Sequence, residues 1–431
     1  MEVRPGYKRT EVGVIPKDWE VRSLGEIASL SSGGTPTRQN SSYWSGDIPW
    51  ITTTLIDFNM ICEANEFITS QGLENSAARV YNSGTLLMAM YGQGKTRGKI
   101  AILGIDAAIN QACVAIEPVK TIASEYVFFN LAARYEEIRG LSNIGNQENL
   151  NVGIIESILL PIPPTLEEQR AIAEVLSDVD ALIAALDRLI AKKRAIKQGA
   201  MQQLLSGQTR LPGFSGEWEI KSILELTDGK KELFDDGDWI EAEFLTEDGV
   251  RLVQTGNIGE GHFLDKESKK YISLDSFRQL GCKEVRPGDI LICRLAEPAG
   301  RACILPDIDE EKVITAVDVS IFRPMDSVAD RRYLVNVFCT PEWFNEVQER
   351  CGGTTRSRIA RSELGKIKFS LPPLPEQRAI AAVLTDMDAE IATLEARREK
   401  TRALKQGMMQ ELLTGRIRLV GEQHRVVATP S

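Results

Sequence analysis

The chain has 431 residues, 43% of them hydrophobic and 26% charged, enough for two to four domains with ordinary buried cores. A net charge of −10 excludes a strongly basic protein that coats nucleic acid, so any duplex contact has to come from local patches. No apolar run is long enough for a membrane span, and seven scattered cysteines with only His262 and His424 fit reduced thiols in a cytoplasmic protein without a zinc site.

Residues 1–163 read as a first segment. An apolar opening at 14–21, with Pro16, Asp18 and Trp19, leads to a short helical piece at 24–30 and a turn at Gly33, Gly34 and Pro36. Apolar runs at 48–51, 86–91, 100–103 and 113–116, bounded by Gly, Asn, Asp and Pro, read as strands. Residues 124–139 read as an amphipathic helix with Ser124 as N-cap, and 158–160 close the segment before Pro163 and Pro164.

Next comes a stretch that occurs twice. Residues 168–211 and 376–419 align without a gap at an offset of 208, with some 27 of 44 positions identical. Each copy reads as one helix of roughly 60 Å, opened by prolines and stopped by Gly207 or Gly415. Apolar residues recur at three- and four-residue steps: Ile172, Val175, Val179, Leu182, Leu186 and Leu189, then Ile380, Val383, Met387, Ile391 and Leu394. That pattern is a seam for pairing helices. Arg194, Lys197, Arg402 and Lys405 load positive charge toward the C-terminal ends, and Gly199 and Gly407 are expected to mark a close helix contact.

Residues 212–370 retell the first segment in weaker form. Trp218 with Glu219 and Ile220 echoes Trp19 with Glu20 and Val21; 288–291 echo 84–87, and 300–305 echo 98–103. A helix at 330–349 stands where 124–139 stood. The framework is kept and the loops between are not, which is how one scaffold would carry two recognition specificities. The expected organisation is a recognition domain at 1–163, a spacer helix at 164–211, a second recognition domain at 212–370, a second spacer helix at 371–419 and a disordered tail at 420–431.

Catalytic patterns are missing. Gly92, Gly94, Lys95 and Thr96 resemble the end of a phosphate-binding loop, but that loop needs glycine at position 89, where Ala89 stands. Asp307, Glu310, Glu311 and Lys312 read as an acidic turn rather than a nuclease centre. What remains is polar and aromatic loop chemistry. Arg38, Tyr91, Gln93, Lys95, Arg97 and Lys99 are candidates in the first segment; Gln254, Asn257, Arg294, Arg301, Arg356, Arg358 and Arg361 are candidates in the second. Arginine can bond guanine, and asparagine or glutamine adenine, in the major groove, while lysine mostly positions phosphates.

The doubled proline-plus-Glu-Gln-Arg openings at 163–170 and 372–378, and the doubled endings at 197–207 and 405–415, make the chain resemble the specificity subunit of type I restriction-modification systems over nearly its whole length. The resemblance implies an α+β fold: two similar mixed α/β target-recognition domains joined by two long antiparallel spacer helices in a pseudo-two-fold internal repeat. It implies a non-catalytic subunit that reads a split sequence in double-stranded DNA and needs no membrane. Two methyltransferase subunits would use S-adenosylmethionine, and motor-nuclease subunits would use ATP and Mg²⁺. A stand-alone DNA-modifying enzyme would instead methylate DNA without partners, and a structural coiled-coil adaptor would show no sequence-dependent DNA binding.

Overall fold

The computed structural model describes residues 4–92, 95–141, 149–295, 298–352 and 357–419. The expected tail lies outside them. The chain divides into two compact units, unit 1 (Met1–Asp187 with Ala396–Ser431) and unit 2 (Arg188–Glu395). The divisions fall inside the two long helices, at points 208 residues apart.

Those helices are continuous, Leu166–Leu205 over 40 residues and Leu374–Leu412 over 39. The first opens with the hydroxyl of Thr165 accepting the amide of Glu168 at 3.2 Å, an N-cap bond. Both stop where Gly207 and Gly415 take φ of 74° and 68°, the left-handed conformation expected of a C-terminal glycine. Gly199 and Gly407 do not mark a close contact: a Cβ at either would meet nothing within 4 Å.

The seam is a strict heptad, and it corrects the apolar list. Ile172, Leu176, Leu186 and Ile190 are buried on the first helix with Val179 and Ile183 half-buried between them, and Ile380, Leu384 and Ile391 are buried on the second with Met387 and Leu394 half-buried. Val175 and Val383 are also half-buried and pack against the recognition cores, while Leu182 and Leu189 are exposed. The seam also has two kinds of partner. Ile172, Ala173 and Leu176 pack into the recognition core of unit 1 with Leu412 and Leu413, and Ile380, Ala381 and Leu384 pack into that of unit 2 with Leu204 and Leu205. Burying each of these leucines and isoleucines stabilises by about 1.5–3 kcal/mol.

Farther along, charge takes the seam positions. In unit 1 Lys405 bonds Asp180 and Arg398 bonds Asp187, so residues 166–187 run antiparallel to 396–412. In unit 2 Lys197 bonds Asp388 and Lys193 pairs with Glu390, with the same sense.

The recognition segments share one topology. In unit 1 one sheet runs Ala28–Ser32, Cys113–Pro118, Leu86–Ala89, Ile100–Leu103, Met60–Ile61; in unit 2 its counterpart runs Phe234–Asp236, Val319–Phe322, Ile290–Cys293, Ala302–Ile304. The other sheet of unit 1 has Glu66–Ile68, Trp44–Ile51, Ala107–Ile109 and Val80–Tyr81, its middle pair parallel. Tyr271–Ile272, Val250–Val253, Val313–Thr315 and Glu284–Val285 repeat that order, with Leu245–Thr246 added at the Tyr271 edge and again a parallel pair within. Fully buried strands with unbroken apolar runs, such as Leu86–Ala89 and Ile290–Cys293, suit sheets covered on both faces.

Some local expectations change. The helix at 24–30 ends after Ile27, and Ala28–Ser32 continues as a strand paired with Cys113–Pro118. The helix at 124–139 breaks at Arg134, whose guanidinium bonds Glu137 and the carbonyl of Leu159. Its N-cap is Ala123, not Ser124. The helix at 330–349 is likewise two, Arg331–Val337 capped by Asp330 and Pro341–Glu349 capped by Thr340. The acidic turn is a turn, the amide of Asp309 donating to the carboxylate of Asp307 at 3.1 Å.

Candidate nucleic-acid interface

Three main-chain hydrogen bonds gather four loops at one end of the sheets. In unit 1 the amide of Asn110 donates to the carbonyl of Ile51 (2.9 Å), that of Met90 to Ala112 (2.8 Å) and that of Leu150 to Met90 (3.0 Å). In unit 2 the amide of Ala316 donates to Val253 (3.0 Å), that of Arg294 to Asp318 (2.8 Å) and that of Ile359 to Arg294 (3.0 Å). The same frame is built twice. Because the backbone makes it, the side chains can differ: Met90 and Arg294 hold equivalent places. The echo noticed in the sequence extends to the loop roots, and only the side chains and loop lengths diverge.

The candidate residues divide sharply. Arg97, Asn257 and Arg294 are buried. Nη2 of Arg97 donates to the carbonyl of Arg139, and the side chain of Asn257 donates to the carbonyl of Leu264. Arg294 donates to the carbonyls of Ile359 and Val317, with Nε 3.0 Å from Asp236. Burial pulls its pKa below the ordinary value, although Asp236 opposes the shift. Arg301 is half-buried, with Nε, Nη1 and Nη2 all on carbonyls, those of Ile258, Leu295, Pro298 and Thr255. These four brace the loops and do not present their donors to a ligand. Arg361 joins them in part, bonded to the carbonyl of Phe234 and the carboxylate of Asp235.

Others reach solvent. Tyr91, Lys95 and Arg358 are exposed on the loops, and Arg358 pairs with Asp318 at 2.8 Å. Lys99 is half-buried and bonds Asp57 at 2.5 Å, and Gln254 is half-buried at the root of its loop. Arg38 is exposed, over the rings of Trp44 at 3.9 Å and Trp50 at 5.3 Å, and paired with Glu66. Gln93 and Arg356 lie outside the described residues. The structure adds Asp318 and Asp57 to the loop set, carboxylates that hold Arg358 and Lys99; nothing in the local sequence marked them.

Among the described residues no cluster of His, Cys, Asp and Glu could hold a metal ion, and no helix is long and apolar enough to cross a membrane.

The family model for the type I restriction modification DNA specificity domain matches this chain twice, at residues 16–194 and 217–402. The chain belongs to this family. Each match takes in one recognition segment and much of the helix that follows it. The type I specificity subunit MjaVIII of Methanocaldococcus jannaschii is 25% identical over 419 residues, covering 94% of both chains. The EcoKI specificity subunit of Escherichia coli is 22% identical, covering 93% of this chain and 89% of its own. The specificity-subunit fold is shared with solved chains. The S subunit of M. genitalium aligns with a TM-score of 0.58 at 12% identity, over 96% of this chain and 98% of its own. A chain from work on assembly and conformational transition of the type I system aligns at 0.59 and 19%, over 94% and 99%.

Proposed function

We propose that this chain is the non-catalytic sequence-reading subunit of a type I restriction-modification complex, in which each unit reads one half of a split target in double-stranded DNA through its gathered loops. The observation that carries the reading is the loop frame built twice from the same three backbone bonds and furnished with different side chains. One frame with two sets of loop chemistry is what two unlike half-sites require. Tyr91, Lys95, Lys99, Gln254 and Arg358 are among the described loop side chains that can reach bases or phosphates.

Methyltransferase subunits supply the reaction with S-adenosylmethionine, and motor-nuclease subunits that use ATP and Mg²⁺ attach to that core. The net charge of −10 then fits, because partners contribute positive surface around the duplex. The coil offers them apolar docking positions: Leu182 and Leu404 are exposed in unit 1, and Leu189 and Ile196 in unit 2. The chain works in the compartment that holds the DNA.

Co-expression with methyltransferase subunits, followed by mapping of methylated adenines, tests the reading. The expected result is one two-part sequence with a fixed unread gap, and no methylation by the purified chain with S-adenosylmethionine alone. Methylation by the chain alone would establish the enzyme instead. A complex with no sequence-dependent binding would leave only an adaptor.

A further inference from the structure

Glu376 is completely buried, yet both of its carboxylate oxygens are bonded. Arg210 donates from Nε to Oε1 and from Nη2 to Oε2, at 2.5 and 2.6 Å, and the indole of Trp218 donates to Oε2 at 3.3 Å. Its neighbour Gln377 is equally buried. The amide oxygen accepts from the backbone of Asp330, and Nε2 donates to the carbonyls of Val328 and Pro372. The Glu-Gln dyad thus ties together the start of one long helix, the chain leaving the other, the entry to the recognition segment and the cap of its helix Arg331–Val337. Unit 1 repeats the arrangement, Glu168 with Arg418 and Gln169 with the backbone of Ala123.

An ion pair with a fully buried carboxylate is a poor way to add stability, because desolvating the carboxylate offsets much of the attraction. What a bidentate guanidinium–carboxylate pair supplies is direction, since two parallel hydrogen bonds admit one orientation. We propose that Glu376 with Arg210, and Glu168 with Arg418, are positioning residues for target recognition, each holding a recognition segment at one angle on the helix segments of its own unit. The proposal rests on the sequence-reading function above. A recognition segment free to tilt would accept its half-site in displaced positions, so a tight latch restricts the complex to one gap between half-sites.

The test uses the full chain with its methyltransferase subunits, as wild type, Glu376→Gln and Arg210→Lys, with methylated sites mapped for each. A wild type that methylates no two-part target refutes the sequence-reading function itself, before the latch is in question. Given a normal wild type, the variants should methylate the same half-site bases but also accept gaps one base pair shorter or longer. Discrimination between gaps should fall about tenfold, equivalent to roughly 1.4 kcal/mol; Glu376→Gln should also melt below wild type, because it leaves Arg210 without its carboxylate, while Arg210→Lys should melt closer to wild type. Folded variants that keep a single gap, or lose methylation uniformly with no new gap, overturn the proposal. So does misfolding of both variants, because the pair would then serve folding and not position; Arg210→Lys keeps the charge and gives the milder perturbation.

Discussion

Asp388 accepts a hydrogen bond from Nζ of Lys197 at 2.5 Å, and the pair Asp180 and Lys405, each exactly one repeat offset away, forms the same bond at 2.7 Å. The duplication therefore preserves the contacts between helices as well as the helices. Asp187 with Arg402 and Glu395 with Arg194 form a second such duplicated pair.

These pairs set register more than stability. The Asp388 side chain is 55% exposed, so the pair is worth about 0.2–1 kcal/mol and is screened by salt. Lys197→Ala is expected to lower stability within that range, with the difference shrinking in high salt. Lys197→Glu should cost more, and adding Asp388→Lys should recover most of the loss. Thermal melts at low and high ionic strength read all four proteins.

The heptad seam separates two leucines four residues apart. Leu186 is 4% exposed and Leu182 is 40% exposed. Leu186→Ala should destabilise unit 1 by about 2–5 kcal/mol, and Leu182→Ala by under about 1 kcal/mol. Leu182→Ala should instead weaken binding of the methyltransferase subunit. Urea unfolding and a pull-down separate the two effects; equal unfolding costs would refute the seam.

Two arginines of one loop set should fail differently. Arg358→Ala is expected to cost about 1–3 kcal/mol at one half-site only, base by base if it reads guanine and uniformly if it holds phosphate. Arg294→Ala leaves the carbonyls of Val317 and Ile359 without their donor, and should lower folding stability by about 1–3 kcal/mol. Binding assays with each half-site altered in turn, beside melting curves, distinguish them.

Helix length should set the unread gap. Four residues add about 6 Å of helix, and a base pair rises about 3.4 Å. Inserting four helix-forming residues after Arg188 alone lengthens one helix and shifts its ion pairs out of register. Inserting four after both Arg188 and Ala396 leaves the pairs within each unit intact, because the units divide beside those two positions. The double insertion should lengthen the gap by one or two base pairs with the outer bases unchanged and with more activity than the single insertion. Methylation mapping measures this, and an unchanged gap at full activity would show that the helices are not the ruler.

Much of the architecture was legible because it is local. The repeat at offset 208, the helix stops at Gly207 and Gly415, and strands such as Ile100–Leu103 follow from residue order alone. The same local reading went wrong where faces mattered. Leu182 and Leu189 satisfy a three-and-four spacing as well as Ile183 and Ile190 do, and only the packed neighbours choose between them.

Side-chain roles were decided by tertiary structure. The sequence shows Arg294 and Arg358 as equal candidates, but one is walled in by Val317, Ile359 and Asp236 while the other reaches solvent beside Asp318. The sequence by itself determined that Glu168 and Arg210 open and close one copy of the repeat, as Glu376 and Arg418 do the other. It could not say that each glutamate is paired with the arginine of the other copy. The reason is rigidity: a helix of about 40 residues keeps its own ends roughly 60 Å apart, so only the antiparallel neighbour can bring an arginine to each buried carboxylate.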